Sequence, residues 1–275
     1  MQRINRRVRF GVLGSLAALA VSVMAIAGSA APATVVVTQN SSNWSTMDTR
    51  PGGTVEFTEA YGAPAGLGSG SLELTTDLTT TAKADYWTRD SLGTPLADVN
   101  DLSYWTFQAA TPQPPIAAVS YQVQIDANGA AAGGFTTLVF EPYQSGIAGG
   151  VVLPATWQQW DVDAGQFWST RSFVDGTCIL VAGGGGPPFY TLAALKTLCP
   201  DAVVLGNGVN IGSNNPGYTV ATDGVQFNDT IYDFELGRRP ATKDDCKDGG
   251  WMTFNDPAFA NQGDCVSYVN NSDKG

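Results

Sequence analysis

The 275-residue chain contains no histidine. That removes Ser-His-Asp and Cys-His catalysis, histidine zinc sites and any imidazole pH switch. Chemistry falls to carboxylates, amides, hydroxyls, tyrosine and lysine. One set of these is marked by its spacing. Gln122, Gln124 and Asp126 alternate with Tyr121, Val123 and Ile125, and Thr137, Val139 and Glu141 alternate with Thr136, Leu138 and Phe140. Alternate residues of a strand share a face, so each run presents an apolar side and a polar side. Glu73, between Leu72 and Leu74, is placed in the same way. Aromatic rings stack on sugar faces, while carboxylates and amides bind hydroxyls. Glu73, Trp105, Gln122, Gln124, Asp126, Glu141, Tyr143 and Trp157 are therefore the candidate ligand contacts, with Trp168 a further ring that could stack.

Two other chemistries use the same residue types. Glycoside hydrolysis needs two carboxyl groups ~5–10 Å apart, one of them held protonated. Glu73 and Glu141 would serve if their strands faced one groove. The E-x-D-x-E arrangement of sandwich glucanases is absent, and Asp161-Val162-Asp163 is its nearest approach. A lyase would have to work with Tyr and Lys alone. Calcium binding between loops is the second chemistry, and Asp126-Ala127-Asn128-Gly129 and Asp161-Val162-Asp163 offer oxygens for it. Neither carries the twelfth-position glutamate of an EF-hand loop, and Asn-Gly after Asp is also plain turn chemistry. No catalytic residue, metal ligand or cofactor is assigned, and a structural calcium is left as the alternative.

The elements that would position these residues are strands. Residues 120–143 read as a hairpin at the centre of the fold. Further strands are expected at 34–39, 54–58, 71–75, 83–89, 102–109, 158–163, 166–172, 203–211 and 225–236, separated by Gly- and Pro-rich turns. Prolines place residues 111–115 in a loop. Residues 190–198 form the one convincing helix, with Thr191 as cap and Leu192, Leu195 and Leu198 on one face. The fold class is all-β, a two-sheet antiparallel β-sandwich of jelly-roll, lectin-like type, with one short helix and a small helical C-terminal appendage.

Three segments follow. Residues 1–33 have a basic start, an apolar run and small residues, the pattern of a secretory signal peptide cleaved near Ala30 to Ala33. Residues 34–237 are the sandwich. Residues 238–275 follow the break at Arg238-Arg239-Pro240 and form the appendage. There Thr242-Lys243-Asp244-Asp245 and Asn261-Gln262-Gly263-Asp264 each resemble a capping box, followed at once by Cys246 and Cys265. Two short stapled helices are expected. An even cysteine count in an exported chain implies disulfides, and of three possible pairings the sequential one, Cys178 with Cys199 and Cys246 with Cys265, brackets local segments. Residues 1–33 hold four of the 14 basic residues and no acidic one, so the remainder carries 10 against 25, a net −15. Such a balance argues against nucleic acid and anionic membranes as partners. No stretch after residue 33 approaches the ~20 apolar residues of a membrane span.

Two stretches carry a resemblance. GSGSLELTT, TPLADVNDLSYWTF, FTTLVFEPY and TWQQWDVDAGQFWST resemble a group of exported bacterial proteins of lectin-like sandwich type, over most of residues 44–236. CKDGGWMTFNDPAFANQGDCVSYV resembles a Cys-bracketed C-terminal module of secreted bacterial proteins. The resemblance implies fold and export and brings no catalytic residues. The expectation is a secreted, non-catalytic protein that binds a polysaccharide or other cell-surface glycan through a polar sheet face. A carboxylate-based glycoside hydrolase or lyase, and a structural protein without small ligand, are the alternatives.

Overall fold

The computed structural model describes residues 31–110, 117–129, 133–147, 150–176 and 178–272. The signal-peptide reading of residues 1–30, the proline loop at 111–115 and the Ala/Gly run at 130–132 lie outside them. Residues 32–275 form one compact unit.

In chain order the strands are β1 (Ala33–Val37), β2 (Trp44–Ser45), β3 (Gly53–Thr58), β4 (Ser71–Thr76), β5 (Lys83–Thr88), β6 (Ser103–Ala110), β7 (Ser120–Asp126) and β8 (Phe135–Phe140). There follow β9 (Gln158–Asp161), β10 (Gln166–Ser169), β11 (Phe173–Asp175), β12 (Cys178–Leu180), β13 (Tyr190–Thr191), β14 (Val203–Gly212), β15 (Thr219–Phe227) and β16 (Thr230–Phe234). The helices are α1 (Leu192–Leu198) and α2 (Gln262–Ser272).

These strands build two seven-stranded sheets. The first is centred on β15, which pairs with β6 on one side and with β4 and then β16 on the other; β9, β3 and β1 extend it. The second runs β13-β10-β8-β7-β14-β5-β2. A separate hairpin, β11-β12, is joined to the residue after α1 by the Cys178–Cys199 disulfide. The fold is an all-β sandwich, antiparallel except where β1 joins β16 in parallel. The 225–236 stretch, expected as one strand, is the two arms of one hairpin, β15 paired with β16, because the chain reverses at Asn228, which has φ +51. A left-handed residue of this kind suits Asn, whose short polar side chain tolerates it.

Alternation decides what is inside. Leu72 and Leu74 of β4, Tyr121, Val123 and Ile125 of β7, and Leu138 and Phe140 of β8 are all buried between the sheets. Two tyrosines cross the interface. Tyr104 of β6 donates its hydroxyl to the Val119 carbonyl at 2.7 Å, and Tyr121 of β7 donates to the Gln226 carbonyl at 2.8 Å. Their rings meet edge to face at 5.5 Å. Thr191 caps α1 by accepting from the Ala194 N–H at 3.1 Å.

In the tail, Cys246 is joined to Cys265, and Trp251, Phe254, Phe259 and Tyr268 pack around the pair. The first expected helix is one 3₁₀ turn, Asp244–Cys246, while the second is the full helix α2. Both capping arrangements form: Thr242 N–H donates to Asp245 Oδ2 at 2.7 Å, and Asp264 N–H donates to Asn261 Oδ1 at 3.0 Å. Gly249, at φ +87, follows within three residues of the first turn and leaves it no room to lengthen.

The outer face of the first sheet hides carboxyl groups under the loop at residues 66–70. Glu235 Oε1 accepts the N–H groups of Ser69 at 2.7 Å and Gly70 at 3.0 Å. Burial pushes Asp223 up to about 8 and Asp233 up to about 6, the nearby Glu235 carboxylate adding to both. Both values lie above the unfolded value of 3.8, so folding favours the protonated forms. Their contribution is complete below that value and is lost as pH rises through about 6 and then about 8. Unfolding free energy should therefore fall by roughly several kcal/mol from pH 4 to pH 9 in chemical denaturation. Asp223→Asn, which keeps an acceptor for the Gly224 and Phe234 N–H groups, should flatten the upper part of that slope; an unchanged slope would refute the assignment.

Candidate functional site

Strand pairing in the second sheet sets one row of outward side chains, and five of its members span the groove: Trp87, Gly208, Gln122, Val139 and Trp168, with Ser45 of β2 beyond Trp87. At ~4.8 Å between strands these five members of the row span about 20 Å. On one side of it lie Asn210 and Ser120, with Glu141 beside Ser120; on the other lie Gln124 and Thr137. Together these residues line a groove of about 690 Å³.

The floor of the groove depends on a glycine. The indole of Trp87 lies against Gly208, where an added Cβ would stand 2.8 Å from the ring and 2.4 Å from the Tyr86 carbonyl oxygen. A glycine inside a strand weakens it unless something must approach closely, and here an indole does. The far wall is Trp168, whose Nε1–H donates to Glu141 Oε2 at 2.7 Å. Gln144 Nε2 donates to the same oxygen and also to the Gly185 carbonyl at 3.1 Å. That amide ties the glycine turn at residues 183–186 to the rim.

Burial pushes the Glu141 carboxyl above the ordinary carboxylate range, and the bonds from Trp168 and Gln144 pull it part of the way back. Gln122 Nε2 donates to Ser120 Oγ at 3.0 Å, and Asn210 Nδ2 donates to the Ala84 carbonyl at 3.2 Å. Each amide is thus oriented by its nitrogen, which leaves its oxygen to the groove. Gln124 makes no side-chain hydrogen bond among the described residues. Two flat indoles, three amides and a carboxyl on one face can hold a ring on its apolar side while reading its hydroxyls.

The sequence candidates divide between two faces. Gln122, Gln124, Glu141 and Tyr143 line the groove. Asp126 ends β7 outside it and accepts the Asn128 N–H at 3.3 Å, as a turn does. Glu73, Trp105 and Trp157 lie on the outer face of the first sheet. There the Tyr61 hydroxyl donates to Glu73, Trp157 Nε1 donates to the Tyr61 carbonyl at 3.1 Å, and Gly224 lies against the Trp105 ring. Glu73 and Glu141 therefore sit on opposite outer faces of the sandwich and do not share a groove. Alternation told inside from outside for both glutamates, but it carries no information on which sheet a strand joins.

The other calcium candidates accept backbone N–H groups as well, Asp161 from its own turn and Asp163 from the residue just before β6. Asp161 Oδ1 accepts the Ala164 N–H at 3.3 Å and Asp163 Oδ2 the Leu102 N–H at 3.0 Å. Among the described residues no three His, Cys, Asp or Glu side chains are grouped to hold a metal ion.

Trp87 and Asn210 were not candidates from sequence. In KADYWTR the two adjacent aromatics give no way to tell which faces the other sheet; the structure packs Tyr86 against Trp44 between the sheets and lays Trp87, equally buried, along the floor of the groove. The signal that could have found the site is in VVLGNGVNI, where Gly206 and Gly208 recur at period two. Glycines on one face of a strand mark a surface cleared for a close neighbour.

No family model matches the chain, and no curated protein matches it. Among solved structures it is similar to a family 11 carbohydrate-binding module from Clostridium thermocellum in complex with a β-1,3-1,4-mixed-linked tetrasaccharide, with 11% identity and a TM-score of 0.39 over 72% of this chain and 93% of that one. A second is the family 11 module of the cellulosomal cellulase Lic26A-Cel5E of the same organism, with 12% identity and a TM-score of 0.38 over 73% and 94%. The sandwich itself is established by the strand pairing of this chain.

Gly208→Ala tests the floor. A methyl group there must displace backbone or Trp87, an overpacking that costs about 1–3 kcal/mol. The variant should melt several degrees lower and show altered tryptophan fluorescence. An unshifted melting curve would mean that the indole does not rest on Gly208.

Proposed function

We propose that the chain is a glycan-binding protein whose site is the groove on the second sheet. What carries the reading is the cross-sheet row in which Gln122 stands between Trp87 and Trp168. A ring on the floor of the groove and a ring at its wall, with amides between them, match a chain of sugar rings, each with an apolar face and a rim of hydroxyls. Glu141, held by Trp168, adds an acceptor when ionised and a donor when protonated.

The test is a polysaccharide panel with purified protein and two single variants. Trp168→Ala should weaken binding about tenfold or more, as loss of a central aromatic anchor does. Trp157→Ala should leave it unchanged, because Trp157 belongs to the other face. Retention of no polysaccharide, or loss on Trp157→Ala alone, would overturn the reading.

Export is part of the same proposal. Residues 1–33 would be removed, and both disulfides belong to an oxidising compartment. N-terminal sequencing of protein recovered outside the producing cell should begin near Ala30 to Ala33; an intact Met1 would refute the cleavage.

A further inference from the structure

The groove is the exception to the charge of the chain. Residues 34–237 carry five basic side chains, Arg50, Lys83, Arg89, Arg171 and Lys196, and nineteen acidic ones. Three of the five bases, Arg50, Lys83 and Arg171, line this one groove, whereas only two of the nineteen acids, Asp48 and Glu141, do. Indifferent placement, with nineteen acids to five bases, would put far more acids than bases there. Of those two acids, Glu141 is pushed toward its neutral form by burial.

The bases are also placed for use. Lys83 Nζ lies 2.6 Å from Oδ2 of the buried Asp85, so its ammonium is held at the rim with its charge already balanced. Arg50 and Arg171 have no carboxylate within ion-pair distance among the described residues, and both are exposed. Arg171 is held instead over the Phe135 ring, 4.9 Å from its centre, which leaves the guanidinium edge free. Phe135 belongs to the row of Asp126 and Val203 at one end of β14, and Lys83 to the row of Gly212 at the other. The two cationic ends are separated by the ten-residue length of β14, about 30 Å at ~3.3 Å per residue. Charges so far apart fit an extended polymer with repeated anionic groups better than one small anion.

We infer that the ligand is an anionic polysaccharide, with carboxylate or sulfate groups met by Arg171 at one end of the groove and by Arg50, beside Lys83, at the other. This rests on the glycan-binding reading and adds the charge of the glycan to it. Guanidinium presents a planar fork that matches a carboxylate or sulfate bidentately, and the surrounding acidic surface repels such a polymer everywhere except along the groove.

The experiment measures the affinity of the full-length purified protein for three polymers. They are a polyuronate, the same polymer after its carboxyl groups have been reduced to alcohols, and a sulfated polysaccharide. A charged polymer should bind, more weakly as salt rises. Arg171→Gln and Arg50→Gln should each weaken that binding about tenfold, the worth of one hydrogen bond to a charged group. Lys196→Gln, away from the groove, should change nothing, and unchanged melting temperatures confirm that the exposed arginine variants stay folded. The uronate and sulfate arms decide which anion is preferred. If the reduced polymer binds as well as the charged ones, or neither arginine variant weakens binding, the charge inference fails and the glycan reading stands. If no polymer of either kind binds, both fail.

Discussion

Two buried tyrosines fix how the sheets of this protein face each other. Tyr104 reaches from the first sheet to the carbonyl of Val119, and Tyr121 reaches from the second to the carbonyl of Gln226. A phenol shut away from water must keep a hydrogen-bond partner or lose on the order of 1–3 kcal/mol. Each hydroxyl therefore holds the opposite sheet at one register, and neither can slide without stranding a donor. Tyr121 lies on β7, and its neighbours Gln122 and Gln124 point the other way. Fixing the inner face of β7 therefore fixes the outer face, and with it the middle of the groove.

The groove is built by subtraction as much as by addition. β14 is an interior strand of the second sheet, between β7 and β5, yet its outward face carries glycine at 206 and 208. Without side chains there, the indole of Trp87 folds down onto the sheet and the rows on either side rise as walls. Trp168, Glu141 and Gln144 then form one hydrogen-bonded unit that also holds the glycine turn at 183–186. This face keeps its polar groups oriented by bonds on one atom while another atom is left to the groove. The outer face of the first sheet is different in kind. Tyr61, Phe107 and Trp157 pack on one another there, and Glu73 is bonded by Tyr61, so these aromatics and this carboxylate find partners within the protein.

Charge divides the molecule in the same way. Carboxyl groups crowd the first sheet, where Asp223, Asp233 and Glu235 lie buried and burial raises the first two. Basic side chains gather on the second, at the rim of the groove. Three of the five basic side chains of residues 34–237 thus stand at one groove, and the acidic surface around it strengthens the contrast.

Alternation alone gives the all-β class, most of the strands and, except where adjacent residues are both aromatic as Tyr86 and Trp87 are in β5, their inner and outer faces. It does so because burial imposes a period of two on any strand with one wet side, and that period is written locally. Local spacing also places the helix cap at Thr191 and both capping residues of the tail, where donor and acceptor are three residues apart. Which strands stand side by side was decided only by the tertiary structure. Glu73 and Glu141 read alike from sequence and lie on opposite sides of the sandwich; Trp87 and Trp168 are 81 residues apart in sequence and share one row. Pairing across a sheet depends on long-range contacts whose energies no local pattern records. A site made from five strands is therefore legible only once those strands have been laid in order.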